Sequence, residues 1–239
     1  MGAWHRLVQS WRRLPRVIRV LLALQAVSWA LLLPLSSGFS ERALLLLGLS
    51  TAGLREGHVW QLLTHPVVHA PADFFGLLFD GMLLWVLGSV FARRWRVSHF
   101  LFFLAACSLA GAGTGLLAHA ASPGAFMAVL TGMDAAVRGL FMAFHLVFGG
   151  EYVRLIGLAQ PVRARWVLYV VVALDVLFFV AGSNPDLGVQ VGGLLAGWLL
   201  VTGRWRPRKL RTWISARWMD AAWERRRRRF RVVGGAGPH

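Results

Sequence analysis

"FMAVLTGMDAAVRGLFMAF", residues 126–144, is an apolar stretch of membrane-spanning length that carries an acid, Asp134, and a base, Arg138, near its middle. A charge at the centre of a bilayer costs about 2.5–3.5 kcal/mol on insertion scales, so the pair demands a reason. Asp134 and Arg138 stand four residues apart, which on a helix makes them neighbours on one face. Each lowers the cost of burying the other, and an intrahelical pair is the simplest reading.

The rest of the chain repeats the apolar pattern. Of 239 residues, 57% are hydrophobic and 15% charged, where a soluble domain carries about 25% charged residues. A hydrocarbon core takes roughly 20 apolar residues to cross, and six segments qualify: 17–35, 74–91, 99–118, 125–148, 166–182 and 187–202. The fold class expected is all-α, a polytopic bundle of six transmembrane helices in a bacterial inner membrane, a plasma membrane or an equivalent. The first run, "VIRVLLALQAVSWALLLPL", exceeds the roughly 7–15-residue core of a secretory signal and reads as a retained span.

Charge orients the bundle. The formal net charge is +16, yet 12 of the 26 Lys and Arg lie after Gly203 and most others sit in short loops. Arg6, Arg12, Arg13, Arg16 and Arg19 lead the chain, Arg93, Arg94 and Arg96 join spans two and three, and Arg154, Arg163 and Arg165 join spans four and five. The alternate loops are poor in basic residues, with only Arg42 and Arg55 in the long 36–73 segment. That asymmetry puts both termini in the cytoplasm and sets topology rather than reading phosphates. Nucleic acid is not an expected partner, since no stacking or groove-reading module is visible.

Three regions follow: a basic leader (1–16), a six-helix membrane domain (17–203) and a Trp/Arg-rich tail (204–239) ending in an expected disordered stretch. The tail interleaves Trp205, Trp213, Trp218 and Trp223 with basic residues, which suits binding to anionic lipid as well as simple anchoring. "RALLLLGL" (42–49) is too short to span and is expected to lie at the interface or re-enter. Lone Cys107 reads as a packing residue. His145 reads as packing or interfacial, and His65 and His69 lack a third ligand at zinc spacing. No metal or cofactor is expected. Gly111 and Gly115, Gly188 and Gly192, and Gly193 and Gly197 form small-xxx-small faces for close helix approach.

Four segments fall in order across this layout: "WQLLTHPVVHA" (60–70), "LLFDGMLLWVLG" (77–88) followed by "ARRW", "GMDAAVRGLF" (132–141) and "GVQVGGLLAG" (188–197). They resemble, in turn, the "WRxxTxxFxHA" first-loop segment, the "LLFNMLALWFFG" second span, the "GASGAVFGLL" fourth-span motif and the "xxHLGGLLAG" last span of the rhomboid superfamily of intramembrane proteins. The resemblance covers about residues 15–203. It implies a fold in which a fourth-span serine attacks the substrate, a last-span histidine is its base, and a second-span His-x-x-x-Asn pair helps hold the oxyanion.

At those positions this sequence has Asp134 for the serine, Gln190 for the base, Gly76 for the second-span histidine and Asp80 for the asparagine. Serine acyl transfer needs a hydroxyl beside a base. Gln190 cannot relay a proton near neutral pH, Gly76 has no donor, and an ionised Asp80 only accepts hydrogen bonds where an oxyanion needs donors. No serine or threonine fits the nucleophile position, Thr131 being three residues early.

If the frame holds, Asp80, Asp134 and Gln190 face one cavity, with Arg138 close by and Asp175 of the fifth span either paired with Arg138 or protonated. Three readings compete for this polar core: a structural network that glues helices, a recognition site for transmembrane client proteins, and two acids sharing a proton for new chemistry. The expectation is a rhomboid-like pseudoprotease whose partners are membrane lipids and transmembrane clients. The opposing readings are a retained intramembrane serine peptidase and a small transporter or proton path.

Overall fold

Local capping chemistry sets where each element starts. The computed structural model describes residues 11–33, 37–121, 129–153, 160–182 and 186–204. Pro15, which lacks an N–H, precedes α1 (Arg16–Leu32), where the missing donor costs nothing. Between it and the next long helix lie α2 (Ser37–Leu47), α3 (Thr51–Arg55), α4 (Gln61–Thr64) and a 3-10 turn, His65–Val67. Ser50 caps α3 by accepting the Gly53 N–H at 3.0 Å. Asp73 caps α5 (Phe74–Ala92) by accepting the Gly76 N–H at 3.0 Å. This helix winds as a π-helix over Leu84–Gly88.

The long helices follow: α6 (Val97–Ala121), α7 (Asp134–Phe148), α8 (Ala164–Val180) and α9 (Leu187–Thr202). Among the described residues, two helices, Phe74–Ala92 and Val97–Ala121, are long and apolar enough to cross a membrane, and Leu187–Thr202 is a shorter apolar helix. The molecule is predominantly helical. One addition to the expected class is an antiparallel strand pair between α7 and α8, with Tyr152 opposite Arg163 and Val153 opposite Val162.

The first loop is held by the motif that the sequence singled out. Trp60 Nε1 donates to Leu46 O at 2.8 Å, Gln61 Nε2 to Leu45 O at 2.6 Å and Thr64 Oγ1 to Leu47 O at 2.6 Å. These three side chains satisfy successive carbonyls at the end of α2, which the helix itself leaves without partners. Ser28 Oγ on α1 donates to Val67 O at 2.6 Å, tying the loop to the bundle.

The core forms where α6, α7 and α9 cross through glycines. A Cβ on Gly193 would collide with the Ala135 carbonyl, one on Gly111 with the Ala135 side chain, and one on Gly197 would lie 2.7 Å from the Gly139 carbonyl. Gly188 and Gly192 back onto Thr114, Gly115 and Gly111 in the same way, and Thr114 Oγ1 donates to the Gly188 carbonyl at 2.7 Å. α1 and α5 pack on one flank through Ile18, Leu84 and Phe91, and α8 packs on α7 through Leu168.

Exposure is reversed relative to a water-soluble protein. Val20, Leu24, Val27 and Leu31 on α1, Phe75, Leu78, Phe79 and Met82 on α5, and Val170, Leu174 and Leu177 on α8 face outward. Gln25, Gln61, His65, His69, Asp80, Arg138, Asp175 and Gln190 are buried. Apolar faces of this extent are rare on soluble monomers and suit hydrocarbon as the solvent.

Two further contacts gather basic segments at one end. Arg93 donates to the Arg13 carbonyl at 2.8 Å, and the Arg94 guanidinium sits 4.5 Å from the Phe148 ring centroid. The start of α1 and the ends of α5 and α7 therefore meet.

The largest correction concerns the opening stretch. A continuous helix over 125–148 is the sequence expectation, but the helix begins at Asp134. Residues 129–133 are non-helical: Leu130 pairs with Leu49 as an isolated antiparallel bridge, and Gly132 takes φ +92. A positive φ belongs to glycine and breaks the helix there. Residues 125–128, the leader through residue 10 and the tail from 205 lie outside the described residues.

Candidate functional site

α7 starts inside the bundle, not at its surface. Ala135 packs on Gly111 of α6, ten residues before that helix ends at Ala121, a depth of about 15 Å at the usual rise per residue. The space above is filled by the first loop, which reaches the start of α7 through the Leu49–Leu130 bridge. The Gly132 N–H lies 3.0 Å from the His65 carbonyl and 2.8 Å from that of Val68. Asp134, placed mid-span by its position in an apolar run, is thus the first residue of a helix. The helix dipole offsets part of the cost of placing an acid there.

Asp80 reaches the same point from α5. Its Oδ2 accepts the Met133 N–H at 2.6 Å and lies 3.4 Å from His69 Nε2, all three groups buried. Met133 is the residue before α7, so Asp80 caps that helix from a neighbouring one. Asp134 directly follows Met133, so a second acid stands beside the first at the start of α7.

Arg138 makes a different pair from the one its spacing suggests. Its Nε and Nη2 donate to Asp175 Oδ2 and Oδ1, both at 2.8 Å, whereas Asp134 Oδ1 lies 3.8 Å from Nη1. The bidentate contact to α8 takes precedence because a planar guanidinium matches both carboxylate oxygens at once. The intrahelical contact is the longer, secondary one. Asp134 keeps a side chain 42% exposed.

Gln190 lies on the other side. Gly193 backs onto Ala135, and Gln190 is three residues earlier on that face, beside the first turn of α7. It is buried, and its Oε1 has no hydrogen-bond partner. A Cβ on Gly76 would run into the Asp73 carboxylate that caps its N–H. The position is filled by an acid rather than merely lacking a side chain.

Asp80 and Asp134 therefore meet at the start of α7 with Gln190 beside them, while Asp175 belongs to a separate clamp with Arg138. Sequence reasoning missed the Met133 N–H and the His69 partner of Asp80, and gave no role to Asp73 or Asp186. Asp73 was findable, as an acid directly before an apolar helical run.

Chemically, the helix start that could cradle an anion already holds a carboxylate. The Rhomboid domain family model matches residues 56–207, more than half of the chain. No curated protein matches it.

Proposed function

The chain belongs to the rhomboid family, and from that premise we propose that it is a membrane pseudoprotease that binds transmembrane segments of client proteins without cleaving them. The observation that carries this reading is the 2.6 Å hydrogen bond from the Met133 N–H to Asp80. An acyl-transfer site must present free donors where negative charge develops. Here an acid occupies one such donor, a second acid stands at the nucleophile position, and an amide stands where a base is required.

The six-span topology with cytoplasmic termini belongs to the same proposal. It draws support from the basic segments that meet at one end of the bundle and from the outward apolar faces. In this topology α7 opens toward the outer side, and a client enters from the lipid. Polar groups held inside hydrocarbon offer partners to polar or helix-destabilising residues of such a segment.

Photocrosslinking in cells tests it, with the reactive side chain at Thr131 on the rim of the site. The expected adducts map by peptide sequencing to transmembrane segments of other proteins. Adducts to lipid alone would count against client binding.

A further inference from the structure

This inference rests on the client-binding reading and names the chemistry of the client. Two acids stand at the start of α7, Asp80 against the Met133 N–H and Asp134 as the first helical residue. Elsewhere the chain is strongly basic. Helix dipoles account for acids at the starts of α5, α7 and α9. They do not account for Gln190, a buried amide 4% exposed whose Oε1 accepts from nothing. Nor do they explain why Asp134, whose side chain is 42% exposed, makes only a 3.8 Å contact with Arg138. Among the described residues, the neighbouring side-chain donors are otherwise engaged. Arg138 is held by Asp175 in two 2.8 Å bonds, and His69 sits 3.4 Å from Asp80.

What is missing is a donor-rich cation. We propose that the recess at the start of α7 receives a lysine or arginine side chain of a client transmembrane segment, with Asp134 as its carboxylate partner and Gln190 Oε1 as a second acceptor. A buried acceptor and a partly open carboxylate are both satisfied by several N–H donors on one positive group. Phe75 and Phe79, exposed on the same helix as Asp80, offer apolar surface for the aliphatic stem and the host helix. Such a residue is unwelcome in lipid, so the recess recognises the feature that makes a membrane segment costly.

The test uses the full-length protein in nanodiscs and three fluorescent single-span Leu/Ala peptides. They differ at one position in the outer third, which carries Lys, Leu or Glu, and association is read by energy transfer. The Lys peptide is expected to bind about tenfold tighter than the Leu peptide, and the Glu peptide weaker than either. Asp134→Asn and Gln190→Leu should each erode that preference, and Asp134→Glu should keep it. Equal binding of Lys and Leu peptides would overturn the basic-residue inference while leaving client binding intact. Failure of all three peptides to bind would overturn both. A Lys preference unchanged in both Asp134→Asn and Gln190→Leu would remove the site assignment, and folded state in each variant is checked by its thermal midpoint.

Discussion

Asp80 and Met133 are 53 residues apart in the chain, yet one carboxylate oxygen and one backbone N–H meet at 2.6 Å. Replacing the acid by Leu leaves that donor buried without a partner, an expected loss of roughly 1–3 kcal/mol. Asp80→Asn, which keeps an acceptor oxygen, should lose less, and chemical unfolding in mild detergent measures both. His65 gives a pH signature. Burial pushes its imidazole down from 6.5 to about 4, so between those values the unfolded chain binds a proton that the folded chain refuses. Stability should therefore be full above pH 6.5 and decline as pH falls toward 4, by roughly 3 kcal/mol across the window. His65→Gln should flatten that part of a plot of thermal midpoint against pH. The sequence drew attention to Asp80, Asp134, Arg138 and Gln190 because a polar residue in an apolar run is conspicuous. It offered Asp175 for Arg138 only as one of two alternatives, and it could not supply the partner of Asp80, which bonds a backbone group that no residue letter encodes. Arg138 chose an acid 37 residues away over one a single helical turn away.

Between elements, the Arg138–Asp175 pair fastens α8 to α7 inside the bundle. Removing one partner of a buried pair costs about 3–5 kcal/mol, whereas replacing both with apolar residues is often neutral. Arg138→Met alone should thus destabilise strongly, and the double variant with Asp175→Leu should recover most of the loss. A thermal-unfolding cycle of the four proteins measures it. Gly193→Val should disrupt the crossing of α7 and α9, because even a Cβ there meets the Ala135 carbonyl. The expected outcome is loss of folded protein on size exclusion, while Gly113→Ala, whose Cβ would meet nothing within 4 Å, is tolerated. Hydropathy located the long helices to within a few residues except at the start of α7. Apolar character reports what solvates a segment, not whether its backbone is helical. Residues 129–133 continue an apolar run, and it is the Leu49–Leu130 bridge and the Gly132 backbone that reveal the break. The short helices of that loop escaped for a related reason, since their order depends on Trp60, Gln61 and Thr64 bonding carbonyls at the end of α2.

Across the whole molecule, the proposed topology places the α5–α6 turn and the first loop on opposite sides of the membrane. Single cysteines at Arg96 and Glu56, in a Cys107→Ser background, should react with an impermeant thiol reagent from opposite faces of intact cells and inverted vesicles. The family motifs were legible from order and spacing, and the match over residues 56–207 bears out the superfamily. The polar residues within those motifs were legible too, but what they do depends on bonds among loop, α5 and α7 that spacing cannot give. The measurement closest to the central claim is made on purified protein in proteoliposomes, supplied with a generic rhomboid substrate and a serine-reactive fluorophosphonate. With the start of α7 occupied by acids and no base at position 190, the substrate should stay intact and mass spectrometry should find no probe on the chain. Cleavage that disappears when one of its serine or threonine hydroxyls is removed, together with a covalent adduct on that same hydroxyl, would contradict it.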